Sequence, residues 1–254
     1  MMNIIIVTGA SSGMGKEFVK QIDKKFPKVN EIWLVARRKE ELEALSNECN
    51  HKCRVMPLDI TNPLSVEVFV QYLEKFNPRI KMLINCAGYG IYSPFEKTSM
   101  EEQVGMVDLN CKALTSITYA CMSYMARDSR VIQLASSAAF LPQPSFAVYA
   151  ATKSYVLSFT KALNEEYRNS GVYFTAVCPG PVNTAFFDRA EVGFGTLSIK
   201  KFVMADAEDV VKKALWDSRN KREVSIYGIA MKLFNLLAKV YPHKFILWIY
   251  RFIR

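Results

Sequence analysis

Short apolar runs rich in β-branched residues alternate with longer stretches of helical periodicity from residue 3 to about residue 226. Residues 3–8, 31–36, 54–58, 81–85, 129–134, 173–178 and 223–227 are predicted as strands. Most of these runs lack polar alternation, as expected where helices cover both faces of a parallel sheet. Between them, residues 13–25, 63–76, 99–126, 147–169 and 206–216 carry helical patterns. Repeated strand–helix units joined by right-handed crossovers predict an α/β fold with a doubly wound sheet. No low-complexity tract or Pro/Gly-rich linker divides residues 1–228, which are predicted to form one domain. The longest insertion, 184–205, is rich in Phe and Gly and is placed as a substrate lid would be.

Beyond residue 228 the pattern changes. Ile226, Ala230, Leu233, Leu237 and Val240 recur at helical spacing with Leu236 beside them, while Lys232, Asn235 and Lys239 fall on the other side. Pro242 then interrupts the pattern, and residues 245–253 are apolar almost all round, with Trp248 and Tyr250 among them. Residues 229–254 are therefore predicted as an amphipathic helical tail.

Composition narrows the function classes. The 254 residues are 50% hydrophobic and 22% charged, enough to bury a large core. Six cysteines at irregular spacing, with no secretory signal before them, predict free thiols in a reducing, cytoplasmic compartment. Two histidines leave little material for a metal site; Cys49-x-His51-x-Cys53 has no obvious fourth ligand, and no metal is expected. The net charge is +9, and it is uneven: residues 200–254 hold 12 basic and 5 acidic side chains, with no acid after Glu223. The cations of that end are diluted in apolar surface, which disfavours nucleic acid. Two readings of the tail remain: packing on the domain or a second subunit, or peripheral contact with the inner face of a membrane, which it could lie on but not cross.

The first strand runs into Gly9-Ala-Ser11-Ser12-Gly13-Met14-Gly15 and then a helix. Glycines in that position let backbone N–H groups at a helix N-terminus approach a pyrophosphate. A phosphate-binding Walker loop is excluded because Glu17 stands where a Ser or Thr would bind Mg²⁺. Gly9-x-Ser11-x-Gly13 also matches a nucleophile elbow, so a serine hydrolase using Ser11 is a rival, although one of two histidines would have to serve it. The second strand ends in Arg37-Arg38 where a carboxylate would bind the ribose of NAD, and two guanidiniums suit a 2′-phosphate instead. Tyr149-x-x-x-Lys153 puts a phenol and an ammonium on one helix face, an arrangement expected to lower the phenol's pKa for general acid/base work. Ser136, just past a strand, can polarise the same oxygen.

Taken together, Thr8-Gly9-x-x-x-Gly13-x-Gly15, Asp59, Asn85-Cys86-Ala87-Gly88, Asn110, Ser136, Tyr149-x-x-x-Lys153 and the segment Pro179-Gly180-Pro181-Val182-Asn183-Thr184 resemble the short-chain dehydrogenase/reductase family in order and spacing. The resemblance covers residues 3 to about 226. It implies a Rossmann-type sheet of seven parallel strands and hydride exchange with a nicotinamide. It also implies that Tyr149 is the acid/base, that Lys153 lowers its pKa and binds the ribose, that Ser136 holds the substrate oxygen, and that Asn110 holds a water in a proton relay. Asp59 and Ile60 are implied to contact adenine, Asn85 to Gly88 to flank the cofactor, Thr184 to hold the carboxamide, and Arg37, with Ser12 as a second contact, to select the 2′-phosphate. Cys86 and Met14 depart from the family pattern at positions that supply no chemistry. The resemblance points to an NADP(H)-dependent oxidoreductase, a homodimer or homotetramer, acting on a carbonyl or alcohol. Phe186, Phe187, Phe194 and the apolar tail favour a lipophilic substrate such as a hydroxysteroid or long-chain oxo-lipid. A non-catalytic NADP(H) sensor of the same fold is the alternative, and it has no need of all three of Ser136, Tyr149 and Lys153.

Overall fold

Strands β1 (Asn3–Thr8), β2 (Glu31–Ala36), β3 (Lys52–Pro57), β4 (Arg79–Asn85), β5 (Met125–Leu134), β6 (Val172–Val177) and β7 (Val224–Ser225) form one parallel sheet in the order β3-β2-β1-β4-β5-β6-β7. The structure is a computed structural model that describes residues 2–184, 186 and 204–253, with side chains through Trp248. Continuous apolar runs become strands here because both sheet faces are covered. Ile5, Val7, Ile32 and Leu34 pack with Phe18, Val19 and Ile22 of α1 (Gly13–Lys25) and with Val210, Val211 and Ala214 of α7 (Ala207–Arg219). The alternate residues Ile4, Ile6, Trp33 and Val35 pack on the other side with Phe69 and Leu73 of α3 (Pro63–Phe76) and Ile117 and Cys121 of α5 (Leu114–Met122). Strand order reverses between β1 and β4, so a crevice opens at their carboxyl ends, where doubly wound sheets bind ligands.

Several predicted boundaries change. The polar segment Lys39–Glu48 forms a helix, α2, that buries only Leu42 and Leu45 and so left a weak apolar signal. The single helix predicted over 99–126 is divided into α4 (Met100–Val107), a π-helical turn Asp108–Ala113 and α5, and the chain is already in β5 at Met125. Strand β3 begins at Lys52, two residues before the prediction, and β7 is only two residues long. Helix α6 (Ala147–Glu166) ends three residues early.

Gly228, at φ +84°, turns the chain out of β7 into α8 (Ile229–Val240), and α9 (His243–Ile253) follows Pro242. The face of α8 that docks on the sheet domain is Met231, Phe234 and Ala238, not the stripe read from the sequence. Phe234 lies against Phe140, ring centroids 6.1 Å apart, and Ala238 is buried with Leu141 and Val156. Most of the sequence stripe, including Leu233, Leu236, Leu237 and Val240, is exposed.

Candidate active site

The glycine turn after β1 is held by its own backbone. Gly9 sits at φ +68° and donates to the Val35 carbonyl at 2.8 Å, and a Cβ there would lie 2.7 Å from the Ala87 nitrogen. Gly15 packs on the Gly9 carbonyl, leaving no room for a side chain. Both glycines are therefore required by close backbone approach. Thr8 Oγ1 accepts from the Cys86 and Ala87 amides at 3.2 and 3.3 Å, tying the ends of β1 and β4 together. Asn85 Nδ2 donates to Thr118 Oγ1 and Gln133 Oε1, a buried polar knot beneath the same edge. Cys86 is buried, and burial pushes its thiol up to about 12, so it stays neutral.

Above this edge lies a cavity of about 840 Å³. Gly9, Ser11, Ser12, Gly13, Met14 and Gly15 line one end, together with Arg37, Arg38, Asp59 and Ile60. Arg38 donates to Ser11 Oγ from Nε (3.3 Å) and Nη2 (3.0 Å), and Arg37 Nη1 stands 3.9 Å from Asp59 Oδ2. Asp59 Oδ1 accepts from the amide and hydroxyl of Thr61. Two cations thus face the cavity at the end of β2. Neither histidine is a hydrogen-bond partner of Ser11: His51 Nδ1 is 2.8 Å from Asp23 near the far end of α1, about 15 Å along the helix from Gly13, and His243 begins α9. That geometry supplies no base for a hydrolase. Among the described residues no cluster of His, Cys, Asp and Glu is able to hold a metal ion.

Ser136, Tyr149 and Lys153 line the same cavity. Ser136 caps the short turn Ser137–Phe140, and its Oγ accepts from the Ala138 amide at 3.1 Å, which leaves its proton free to donate. The turn is fixed to the 179–184 segment by Ser137 N donating to the Pro179 carbonyl at 2.8 Å. Tyr149 and Lys153 are one turn apart on α6, and both are buried. Lys153 Nζ donates to the Leu134 carbonyl at 2.7 Å and lies 5.6 Å from the Tyr149 ring centre. The expected lowering of the phenol is not what the fold imposes: burial pushes Tyr149 up to about 12, with the Ser136 hydroxyl opposing. Burial likewise brings Lys153 down to about 8. Low polarity penalises the charged form of each group more than either partner relieves it.

Asn110 is wholly buried in the π-helical turn and does not line the cavity. Its Oδ1 accepts from Tyr89 N at 3.1 Å, and its Nδ2 donates to Tyr89 O at 2.9 Å and to Thr152 Oγ1 at 3.0 Å. Both amide protons are engaged, so the side chain clamps the turn after Gly88. Ala87 and Gly88 line the cavity, whereas Thr8 and Asn85 support it from below. Pro179, Gly180, Val182 and Thr184 form another wall, and Thr184 sits over Gly13.

Aromatic rings crowd the phenol, two of them from residues with no motif to mark them. Phe146 stacks on Tyr149 with centroids 4.2 Å apart, Phe186 covers the same ring at 5.5 Å, and Tyr92 meets Phe146 edge-on. Phe186 was expected near the substrate; Phe146 and Tyr92 carried no signal beyond their aromatic character. Gly90 packs against the Tyr149 ring, so a side chain there would displace it. Gln143, Glu101 and Glu102 also reach the cavity. Phe187, Phe194 and most of the 184–205 loop lie outside the described residues.

A family model described as short chain dehydrogenase matches residues 3–192. An uncharacterized oxidoreductase of Staphylococcus epidermidis is 28% identical over 227 residues, spanning 88% of this chain and 96% of that protein. Another uncharacterized oxidoreductase, of Staphylococcus haemolyticus, is 32% identical over 193 residues, 75% of this chain and 82% of its own. Among solved structures, a short-chain dehydrogenase from Sphingobium yanoikuyae in complex with NADPH superposes with a TM-score of 0.77 at 26% identity, covering 92% of each chain. A serine dehydrogenase complexed with NADP⁺ gives a TM-score of 0.78 at 26% identity over 88% of this chain and 94% of that one. A Burkholderia phymatum protein in complex with NAD, 21% identical with a TM-score of 0.78 over 93% of this chain and 92% of that one, shares the fold.

Proposed function

Because this chain belongs to the short-chain dehydrogenase family, we propose that it is an NADP(H)-dependent oxidoreductase interconverting a ketone and a secondary alcohol. The observation that carries the reading is the convergence of Ser136, Tyr149 and Lys153 on one cavity whose other end is a glycine turn flanked by two arginines. The residues fit a dinucleotide: Gly13, Met14 and Gly15 begin α1 and line the cavity, and the first amides of a helix, which have no intrahelical partner, suit a pyrophosphate. Arg37 and Arg38, which stand at the end of β2 where a carboxylate would hold the ribose of NAD, favour the 2′-phosphate of NADP(H). Ser12 and Thr184 are further contacts in this reading, with Asp59 and Ile60 at the adenine. When bound, the nicotinamide exchanges a hydride with the substrate carbon.

The chain's own residues handle the proton. Tyr149 Oη gives its proton to the carbonyl oxygen in reduction and takes one from the hydroxyl in oxidation, and a neutral phenol is the form that burial keeps ready. Ser136 donates to the same oxygen. Lys153, held on the Leu134 carbonyl, stabilises the phenolate left behind and in this reading also binds the ribose. In this reading Asn110, wholly buried, holds the water of a proton relay through the one Oδ1 lone pair that Tyr89 does not use. Phe146, Phe186 and Tyr92 around the phenol support a lipophilic substrate of the hydroxysteroid or long-chain oxo-lipid kind. We read the protein as cytoplasmic, with residues 229–254 in peripheral membrane contact. Exposed Val107, Tyr119 and Tyr155 on α4 to α6 support a homodimer or homotetramer.

Tyr149→Phe tests the assignment. Oxidation of NADPH with steroid and long-chain ketones, followed by the absorbance of the reduced nicotinamide, should fall by at least about 100-fold. NADPH affinity should change little, since one hydroxyl is removed and the ring packing remains. A variant that keeps more than a few per cent of the rate refutes the role of Tyr149.

A further inference from the structure

Resting on that reading of a lipophilic substrate, we propose that α8 and the start of α9 form a docking face for an anionic lipid bilayer, seated against the wall of the active-site cavity. Helix α8 is apolar on two sides. Met231, Phe234 and Ala238 fit the sheet domain, while Ile229, Leu233, Leu236, Leu237 and Val240 recur every three or four residues on the opposite side. That outer face is open: Ile229 is 85% exposed, Val240 66% and Leu236 55%. The chain continues it with an exposed aromatic ladder, in which Tyr241 stacks on Phe245 at 5.7 Å and Phe245 on Trp248 at 6.1 Å. Amphipathic aromatic rings beside aliphatic side chains are suited to the boundary between head groups and acyl chains.

Charge selects the occupant. Lys232 and Lys239 are exposed at the rim of this face, Lys244 is exposed at the start of α9, and the sequence after Glu223 contains five Lys and Arg and no acid. On a helical wheel Lys232 and Lys239 fall together, between the core-facing and outward-facing sides of α8. A second copy joined through the same face would set cations against cations, because a two-fold interface pairs a patch with itself. An anionic leaflet is complementary to the apolar centre and to its cationic border alike. No helix among the described residues is long and apolar enough to cross a membrane, so the contact is interfacial.

The face is also joined to the site. Met231 packs so closely on Gly180 that a Cβ there would lie 2.7 Å from its sulfur, and Gly180 lines the cavity. Docking therefore brings the cavity wall within about one helix diameter, roughly 10 Å, of the lipid.

The test is sedimentation of the full-length protein with vesicles of phosphatidylcholine alone or mixed equally with phosphatidylglycerol, alongside NADPH titration of the same samples. Binding to the mixed vesicles alone, weakening as salt rises, is expected. Changing Lys232, Lys239 and Lys244 together to Gln should weaken it about 100-fold, at about fivefold per cation. Leu236→Ser with Val240→Ser should weaken it by at least about tenfold. Absence of binding to either vesicle overturns the proposal, as does a fall in oligomer mass on light scattering of the Leu236/Val240 variant, which would make the occupant a second copy. NADPH binding and turnover without vesicle binding would remove the docking face alone. Vesicle binding without NADPH binding would keep the face and remove the oxidoreductase reading.

Discussion

The buried ammonium of Lys153 should cost the fold stability in a pH-dependent way. Its pKa falls from 10.5 to about 8 on burial, while in the unfolded chain it keeps the higher value. Below pH 8 both states hold the proton, and the folded state bears the full penalty of a desolvated cation. Between 8 and 10.5 the unfolded chain binds more protons than the fold, so stability rises with pH; the contribution is complete above 10.5 and is lost as pH falls through 8. At 1.36 kcal/mol per unit the swing is about 3 kcal/mol. Lys153→Met removes the titration. Urea unfolding of wild type and variant at intervals from pH 7 to 10.5 should then show the difference in stability shifting by about 3 kcal/mol in favour of wild type as pH rises. The loss of the Leu134 hydrogen bond is a constant offset, the titration of surface lysines and of Tyr149 in the unfolded chain is common to both proteins, and in the fold Tyr149, at about 12, keeps its proton across this range. Parallel curves would refute the reasoning and place Lys153 in contact with water.

Cofactor choice gives two further expectations. Arg38→Ala removes donors now 3.0 and 3.3 Å from Ser11 Oγ, and Arg37→Ala removes the guanidinium facing Asp59. Each should weaken NADPH about tenfold, the lower end for a charge-assisted bond because both side chains are at least half exposed, with NADH nearly unchanged in fluorescence titration. Equal losses for both cofactors would make the arginines surface residues. Gly9→Ala places a Cβ against Ala87 at positive φ and should cost about 1–3 kcal/mol in urea unfolding while weakening NADPH; wild-type stability would show that the turn relaxes freely.

The parts of the molecule legible in the sequence are those where one physical demand dominates. Ile4 to Val7 must be apolar at every position because two helical layers cover the strand, and an unbroken run announces that. Gly9 and Gly15 stand where no other residue fits. Helix α2 was illegible because two leucines suffice to seat it at the sheet edge. The break of the long helix at Asp108–Ala113 has no proline to mark it; the π-helical turn carries Asn110, whose side chain bonds Tyr89 and Thr152. Aromatic residues around the phenol were equally hidden, since Phe146 precedes α6 in a loop and meets Tyr149 only after the helix forms.

The Tyr149–Lys153 pair shows what spacing alone leaves open. Four residues on a helix bring the groups to one side, and from charge alone the ammonium should acidify the phenol. Burial acts on both partners in the opposite sense, favouring neutral tyrosine at about 12 and pulling lysine to about 8. The result suits reduction, for which the phenol must arrive protonated; only when a proton has left Tyr149 does the full attraction between phenolate and ammonium appear. An ion pair that exists after proton transfer and not before it stabilises the later state selectively, which is what lowers a barrier instead of merely tightening the resting site. In the proposed reaction, the same burial that makes the pair expensive to the fold makes Lys153 most effective at the step where Tyr149 would give up its proton.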